Sequence, residues 1–363
     1  LILPLKWNRY LLPIMPAAAI YLANIPNILV VIYRFLKNNL LQIKQFLTGG
    51  SVALIIVSLF LLIPQASWLS TTVLIITVLL IVQGYLVTRA MLYGFSHKES
   101  KPLIRHSPLN TFSLVVPARD EAGVIGRTIT SLANLHYPKN MYEVMVIVRA
   151  DDYDTILAAE EAIKGTNANY IRIIQIDGEA HNKAYSLNIG LRLAKHDLVG
   201  IFDAEDEPHP DILQKVNDYL IANPSCGAVQ APVHLTNINS TWYASLNAIE
   251  YYYWFKSVLP YLATKLMVPL GGNTIFTRKG VFDVVGGYDE TCLTEDADLG
   301  IRLAEGKVKI GVIDEAQLAT TEETPISEID LIKQRSRWDQ GYLQVLNKSN
   351  WLNLSFTQKA YAF

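Results

Sequence analysis

Five carboxylates crowd the stretch FDAEDEPHPD, from Asp203 to Asp211, directly behind the apolar run HDLVGIF. Acids packed this closely repel one another unless something positive is held among them. A hard divalent cation answers that need. Mg2+ and Mn2+ take one or two carboxylates and complete their shells with substrate phosphates. Asp203 is the surest ligand by position, at the end of a buried strand. Glu205 or the adjoining Asp206 supplies the second, and His209 is only a neighbour. An acidic loop capping the helix after Pro210 is the plainer alternative.

Four further stretches carry chemistry. VRADD ends in Asp151 and Asp152, which can accept hydrogen bonds from a ribose or a base edge at a strand end; an Asx-type turn into the next helix would explain either alone. HNKAYSLNIGL puts Lys183 near a helix start, where backbone amides and the dipole already favour an anion, and a solvated lysine is its plain reading. LTEDADLGIRL holds Glu295, Asp296 and Asp298. One of them can act as general base toward an acceptor hydroxyl, although acids also simply favour a first helical turn. QRSRW sets Gln334, Arg337 and Trp338 at i, i+3 and i+4, on one helix face. There an arginine can stabilise charge on a phosphate leaving group, and an indole offers a flat face to a sugar ring. A cation–π pair on an amphipathic helix is the bland version. The aromatic run from Trp242 to Leu262 reads equally as core packing, a surface resting on a bilayer, or a carbohydrate path.

The surrounding pattern says what positions these groups. From about Ser107, apolar strands alternate with amphipathic helices: TFSLVV, YEVMVIV, NYIRIIQI and HDLVGIF, separated by helical stretches. That alternation implies βαβ units and a mostly parallel sheet, whose ligands bind beyond the carboxyl ends of the strands. An α/β domain is therefore expected over 107–325, followed by an amphipathic helix within 326–363 that carries QRSRW.

Upstream the chain is different. No charged residue occurs from Gln45 to Thr88, about 44 positions, where a membrane-spanning helix needs about 20. PQASWLS divides the run, so 51–95 reads as a transmembrane hairpin with its backbone satisfied inside helices. Lys37 and Lys44 before it, and Arg89, Lys98, Lys101 and Arg105 after it, place both flanks in the cytoplasm. Residues 1–50 are left open between a third span, an interfacial helix and part of another domain. The 363 residues, 51% of them hydrophobic, allow one to three domains with a large core. A net charge of −2 suggests no nucleic-acid partner. The two cysteines, Cys226 and Cys292, lack metal-ligand spacing and read as reduced thiols of a cytosolic compartment. A first residue other than Met reads as a fragment or a processed form.

In order, VVPARDEA, VRADD, NKAYSLNIGL, FDAEDEP, VQAPV, GGNTIFTRKG, TED and QRSRW resemble the processive, membrane-embedded members of glycosyltransferase family 2, the group of cellulose and hyaluronan synthases. The resemblance covers about Thr111 to Leu346. It implies a GT-A (Rossmann-like) domain on a multi-pass protein of the cell membrane, its catalytic part cytoplasmic, using a UDP-sugar and Mg2+ or Mn2+ to extend a polysaccharide with inversion. By position it assigns Asp151 or Asp152 to the uridine, Lys183 to the diphosphate, and Asp203 with Glu205 to the D-x-D metal site. Asp296 becomes the catalytic base with Glu295 beside it, and Gln334, Arg337 and Trp338 line the diphosphate and acceptor site. It further implies spans after Phe363, so the chain either ends before them or cannot form a channel alone; a partner subunit is left unknown. Two rivals stand beside it. One is a single sugar addition onto a lipid carrier. The other is a membrane receptor or secretion component without turnover.

Overall fold

The structure, a computed structural model, describes residues 68–96, 105–177 and 182–362. The open N-terminal segment 1–50, the first arm of the expected hairpin (51–63) and His181 lie outside the described residues. The chain forms two compact units, Leu1–His97 with Ala360–Phe363, and Lys98–Lys359.

In the first unit, α1 (Trp68–Ser96) is a continuous 29-residue helix. Its segment Ile76–Gly94, with a mean hydropathy of 1.6, is the one stretch among the described residues long and apolar enough to cross a membrane. Ile76, Leu80 and Val82 on it are exposed. The second arm of the expected hairpin falls within α1.

The second unit opens with β1 (Phe112–Ala118), α2 (Ile125–Ala133), β2 (Tyr142–Arg149), α3 (Tyr153–Thr166), β3 (Ile171–Ile176), α4 (Lys183–Leu193) and β4 (Leu198–Ile201). After these come α5 (Ile212–Ala222), β5 (Cys226–Gln230), β6 (Val233–Leu235) and α6 (Trp242–Tyr253). A π-helical turn at Trp254–Val258 leads into α7 (Leu259–Ala263). The unit continues with β7 (Ile275–Arg278), α8 (Lys279–Val285), α9 (Glu295–Glu305), β8 (Lys309–Val312), β9 (Thr320–Glu322) and α10 (Glu328–Asn347), and α11 (Phe356–Ala362) follows in the chain.

Seven strands make one sheet in the order β3-β2-β1-β4-β7-β5-β8. All neighbours are parallel except β7, which runs against β4 and β5. β6 and β9 form a separate parallel pair. The central strands are apolar throughout because both faces are covered. Phe112, Leu114 and Val116 pack with α2, α3 and α5 on one side, and Val115 with α4, α8 and α9 on the other. Gly190 lets α4 press onto β1: a Cβ there would stand 2.5 Å from Val115 Cγ1. Helix α3 ends at a left-handed cap on Asn167, φ 52°, a conformation asparagine tolerates.

From β1 the chain winds outward through β2 to β3, then returns to the other side of β1 as β4. The crevice beyond the carboxyl ends of β1 and β4 is therefore the topological switch point, where open α/β sheets bind ligands.

Candidate active site

The five acids after β4 go separate ways. Asp206 is fully buried and turns back on its own loop: Oδ2 accepts from the Asp203 amide at 2.7 Å, and Oδ1 from Asn273 Nδ2 at 2.9 Å. Glu207 pairs with Arg127 at 3.4 Å, and Asp211 with His136 at 3.2 Å. Asp203, half-buried, and Glu205, exposed, face outward from this braced turn. Of the two acids left open as the second metal ligand, Asp206 is thus engaged in holding the loop, and Glu205 makes no hydrogen bond among the described residues.

Lys183, the first residue of α4, sits at the centre. Its Nζ is 2.5 Å from Asp203 Oδ1, donates to the Gly272 carbonyl at 3.0 Å, and lies 3.9 Å from Glu295 Oε1. Gly272 has φ +89°, and a Cβ there would come within 3.3 Å of Asp296 Oδ2 and 3.9 Å of Lys183 Nζ. The left-handed φ makes any side chain strained there, and a Cβ would also crowd the Asp296 carboxylate, so glycine suits the turn that passes beside both groups. Burial pushes the Glu295 carboxyl up to about 7, with the Lys183 charge opposing and the Asp296 charge adding to the shift.

Further acids surround this core. Burial, and then the charges of Glu205, Asp203, Asp120 and Asp152, push Glu121 up to about 7. Burial, Asp203 and Glu205 push Glu322 up to about 8. The carboxyl ends of β1, β2, β4 and β9 therefore share one electrostatic neighbourhood. Asn273 ties it together, donating to Asp206 and, at 3.0 Å, to Glu322 Oε2. Gln230 in turn grips the Gly271–Asn273 loop through the Gly271 amide (2.9 Å) and the Asn273 carbonyl (3.0 Å). Glu322, Asn273 and Gln230 were missed because each matters only through a partner distant in sequence. Asking which donor satisfies the buried acid in DAED would have pointed toward the GGN turn.

The strand-end pair behaves otherwise. Asp152 caps α3 through the Thr155 amide (3.3 Å) and accepts from the Asp120 amide (2.7 Å), so its alternative reading as a turn residue describes its present contacts. Asp151 is exposed and pairs with Arg149, Nε–Oδ1 2.8 Å, and that hydrogen bond holds its carboxyl below the usual range. Neither touches Lys183, Asp203 or Asp296.

Helix α10 docks on the TED turn. A Cβ on Gly341 would overlap the Thr294 side chain; Gln344 Oε1 accepts from the Leu293 amide at 2.8 Å; Lys348 reaches Asp289 at 2.5 Å and Asp298 at 2.7 Å. Asp298, also held by Arg302 at 2.8 Å, is thus an ion-pair anchor of α9 and not a free acid. Gln334 and Trp338 are half-buried one to two turns before Gly341, and Arg337 is exposed without an ion pair among the described residues. The guanidinium that stacks on the Trp338 ring, 4.8 Å from its centroid, belongs to Arg335. Of the aromatic run, Phe255, Leu259, Tyr261 and Leu262 are core, whereas Trp242 is 64% exposed.

The profile of the family described as Glycosyltransferase like family 2 matches residues 108–341, which contain every acid cluster above. The chain belongs to glycosyltransferase family 2. A beta-monoglucosyldiacylglycerol synthase of Synechocystis sp. is 28% identical over 264 residues, 70% of this chain and 53% of that one. Glucomannan 4-beta-mannosyltransferase 7 of Arabidopsis thaliana is 27% identical over 248 residues, 64% and 43% of the two chains. The chain spans about half the length of the curated relatives it matches. Among solved structures, the mannosyltransferase PcManGT from Pyrobaculum calidifontis, in complex with GDP-Man and Mn2+, aligns with TM-score 0.59 at 19% identity, covering 78% of this chain and 79% of that one. The GT-A architecture of this family 2 transferase is thereby supported from sequence and fold together.

The donor set at the rim suits a hard cation. Among the described residues no three His, Cys, Asp or Glu side chains group to hold a metal by themselves. Asp203 and Glu205 offer two outward carboxylates, and a cation bound there would need further oxygens from a phosphate-bearing ligand.

Proposed function

We propose that this family 2 transferase is a membrane-bound, inverting enzyme that moves a sugar from a UDP-sugar onto a growing β-linked polysaccharide. The observation that carries the reading is the cation at the switch point: Lys183 Nζ, 2.5 Å from Asp203 and 3.0 Å from the Gly272 carbonyl, with Asp296 beside that same glycine. Asp203 and Glu205 would hold Mg2+ or Mn2+, which offsets negative charge on the donor diphosphate. Lys183 serves the same diphosphate, and Asp151 or Asp152 receives the uridine after exchanging present contacts. Asp296 accepts the proton of the attacking hydroxyl, with Glu295 beside it in the substrate site. Arg337, exposed on α10, takes charge on the departing UDP together with Gln334, and the Trp338 indole carries the acceptor sugar. Helix α1 anchors the domain to the cell membrane; we assign the catalytic side to the cytoplasm and further spans to a multi-pass protein.

A donor screen over UDP-sugars, reading UDP release and product size, tests this. Asp296→Asn should abolish transfer and keep UDP binding; loss of UDP binding instead would reassign Asp296 to the ligand shell. No UDP release from any donor by the metal-loaded full chain would favour the receptor reading. A lipid acceptor taking a single sugar is the second reading, supported by the glucosyldiacylglycerol synthase relatives. The docking of the QRSRW helix on the TED turn through Gly341 and Gln344 is the observation that favours the polymer reading. Product length separates the two.

A further inference from the structure

The two arginines of QRSRW do opposite things, and the one outside the motif's fixed positions is the better held. Arg335 is 13% exposed. Both its terminal nitrogens lie 3.1 Å from Glu250 of α6, one on each carboxylate oxygen, and one of them also donates to Asn247 Oδ1. Asn247 is itself buried and donates to Thr324 Oγ1 at 3.1 Å. The same guanidinium lies over the Trp338 indole at 4.8 Å. A planar fork bound on one edge to a carboxylate and stacked on a ring has few orientations left, so it fixes the plane of the indole as well. The neighbouring turns agree: Trp242 Nε1 donates to Glu328 Oε1 at 2.9 Å and the Tyr243 hydroxyl to the Ile326 carbonyl at 2.6 Å. Helix α6 is thus joined to the first half of α10 at both ends of their contact. Arg337, one residue before Trp338, projects about 100° away around the helix and cannot serve this purpose.

We propose that Arg335, through its forked pair with Glu250, is the positioning residue that sets the Trp338 ring to receive the acceptor, so that α6 belongs to the acceptor site. The acceptor role of Trp338 rests on the reading above; the clamp itself does not.

Two readouts on the full chain in detergent keep these apart. The first is the near-ultraviolet circular dichroism of Trp338, isolated by subtracting the spectrum of Trp338→Phe. Arg335→Lys keeps the charge but loses fork and stack, and Glu250→Gln loses the carboxylate. Both should strongly reduce the Trp338 band while thermal unfolding stays cooperative. An unchanged band in both variants overturns the clamp. The second is kinetic. Arg335→Lys should raise the acceptor KM about tenfold, with donor KM and acceptor-independent UDP release within about twofold of the native chain. Donor and acceptor KM rising together would make Arg335 general helix glue and overturn the positioning role. Absence of UDP release from the native chain would strike the transferase reading, and the dichroism alone would then decide the clamp.

Discussion

Asn273 offers the sharpest test of how the acidic rim is held. Its amide nitrogen spends both protons on carboxyls, the buried Asp206 Oδ1 at 2.9 Å and the half-buried Glu322 Oε2 at 3.0 Å, and the residue is 3% exposed. A hydrogen bond to an ionised group contributes about 1.5–3 kcal/mol and an ordinary one about 1 kcal/mol. Glu322, pushed up to about 8, counts as the weaker case, and burial also raises the Asp206 carboxyl well above its ordinary value, so the lower part of the range for an ionised partner applies there. Asn273→Ala should therefore cost about 2–4 kcal/mol, and for a unit of this size each kcal/mol lowers Tm by about 2–4 °C. A fall of roughly 10 °C at pH 7 is expected by differential scanning fluorimetry in detergent. Asn273→Asp keeps the shape but removes a donor and adds an acid, so it should fall at least as far. The Asp203 amide hangs on Asp206, so both variants should also weaken Mn2+ binding. A Tm loss under about 2 °C for both would refute the claim that this amide braces the rim.

Three other outcomes follow from the same geometry. The Tyr288 hydroxyl is buried without a hydrogen-bond partner among the described residues, so Tyr288→Phe should gain about 1 kcal/mol in urea unfolding; a loss would show a hidden partner. Partial burial would raise Asp289, but hydrogen bonds from Lys348 and Thr291 win and hold it at about 2. A depressed carboxyl stabilises fully above its unfolded value near 4 and loses that contribution as pH falls toward 2. Native chain and Asp289→Asn should thus differ in unfolding free energy at pH 6 and converge near pH 2; a constant gap would exclude the linkage. Gly341→Leu drives a side chain into Thr294 and should cost about 1–3 kcal/mol while cutting turnover more than UDP binding; unchanged turnover would uncouple α10 from the TED turn.

The strands and the acids that follow them were legible because two periodicities and one composition rule coincide there: buried parallel strands are apolar throughout, and the charged residues stand where they stop. VVPARDEA, VRADD and GIFDAED each show it. The antiparallel β7 was not legible, since a four-residue strand between β4 and β5 has no local mark of its direction. Within the site, residue type pointed at Lys183, Asp203 and Asp296, and the structure brings them together around Gly272. It could not divide labour among neighbours. Whether Glu205 or Asp206 faces outward depends on Asn273, 67 positions away, and which arginine meets Trp338 depends on Glu250, 85 positions before Arg335. Asp152 shows both cases: helix capping accounts for its contact with Thr155, whereas its bond from the Asp120 amide, 32 positions away, has no local mark.

The Lys183–Asp203 pair has a consequence for the resting chain. Through it the first turn of α4 and the loop after β4 are tied to each other by the fold itself, with the Gly272 carbonyl as a third point. On the reading proposed above, an arriving nucleotide would exchange with an internal ion pair instead of organising scattered acids. Entry of the donor and release of Asp203 would then be a single event.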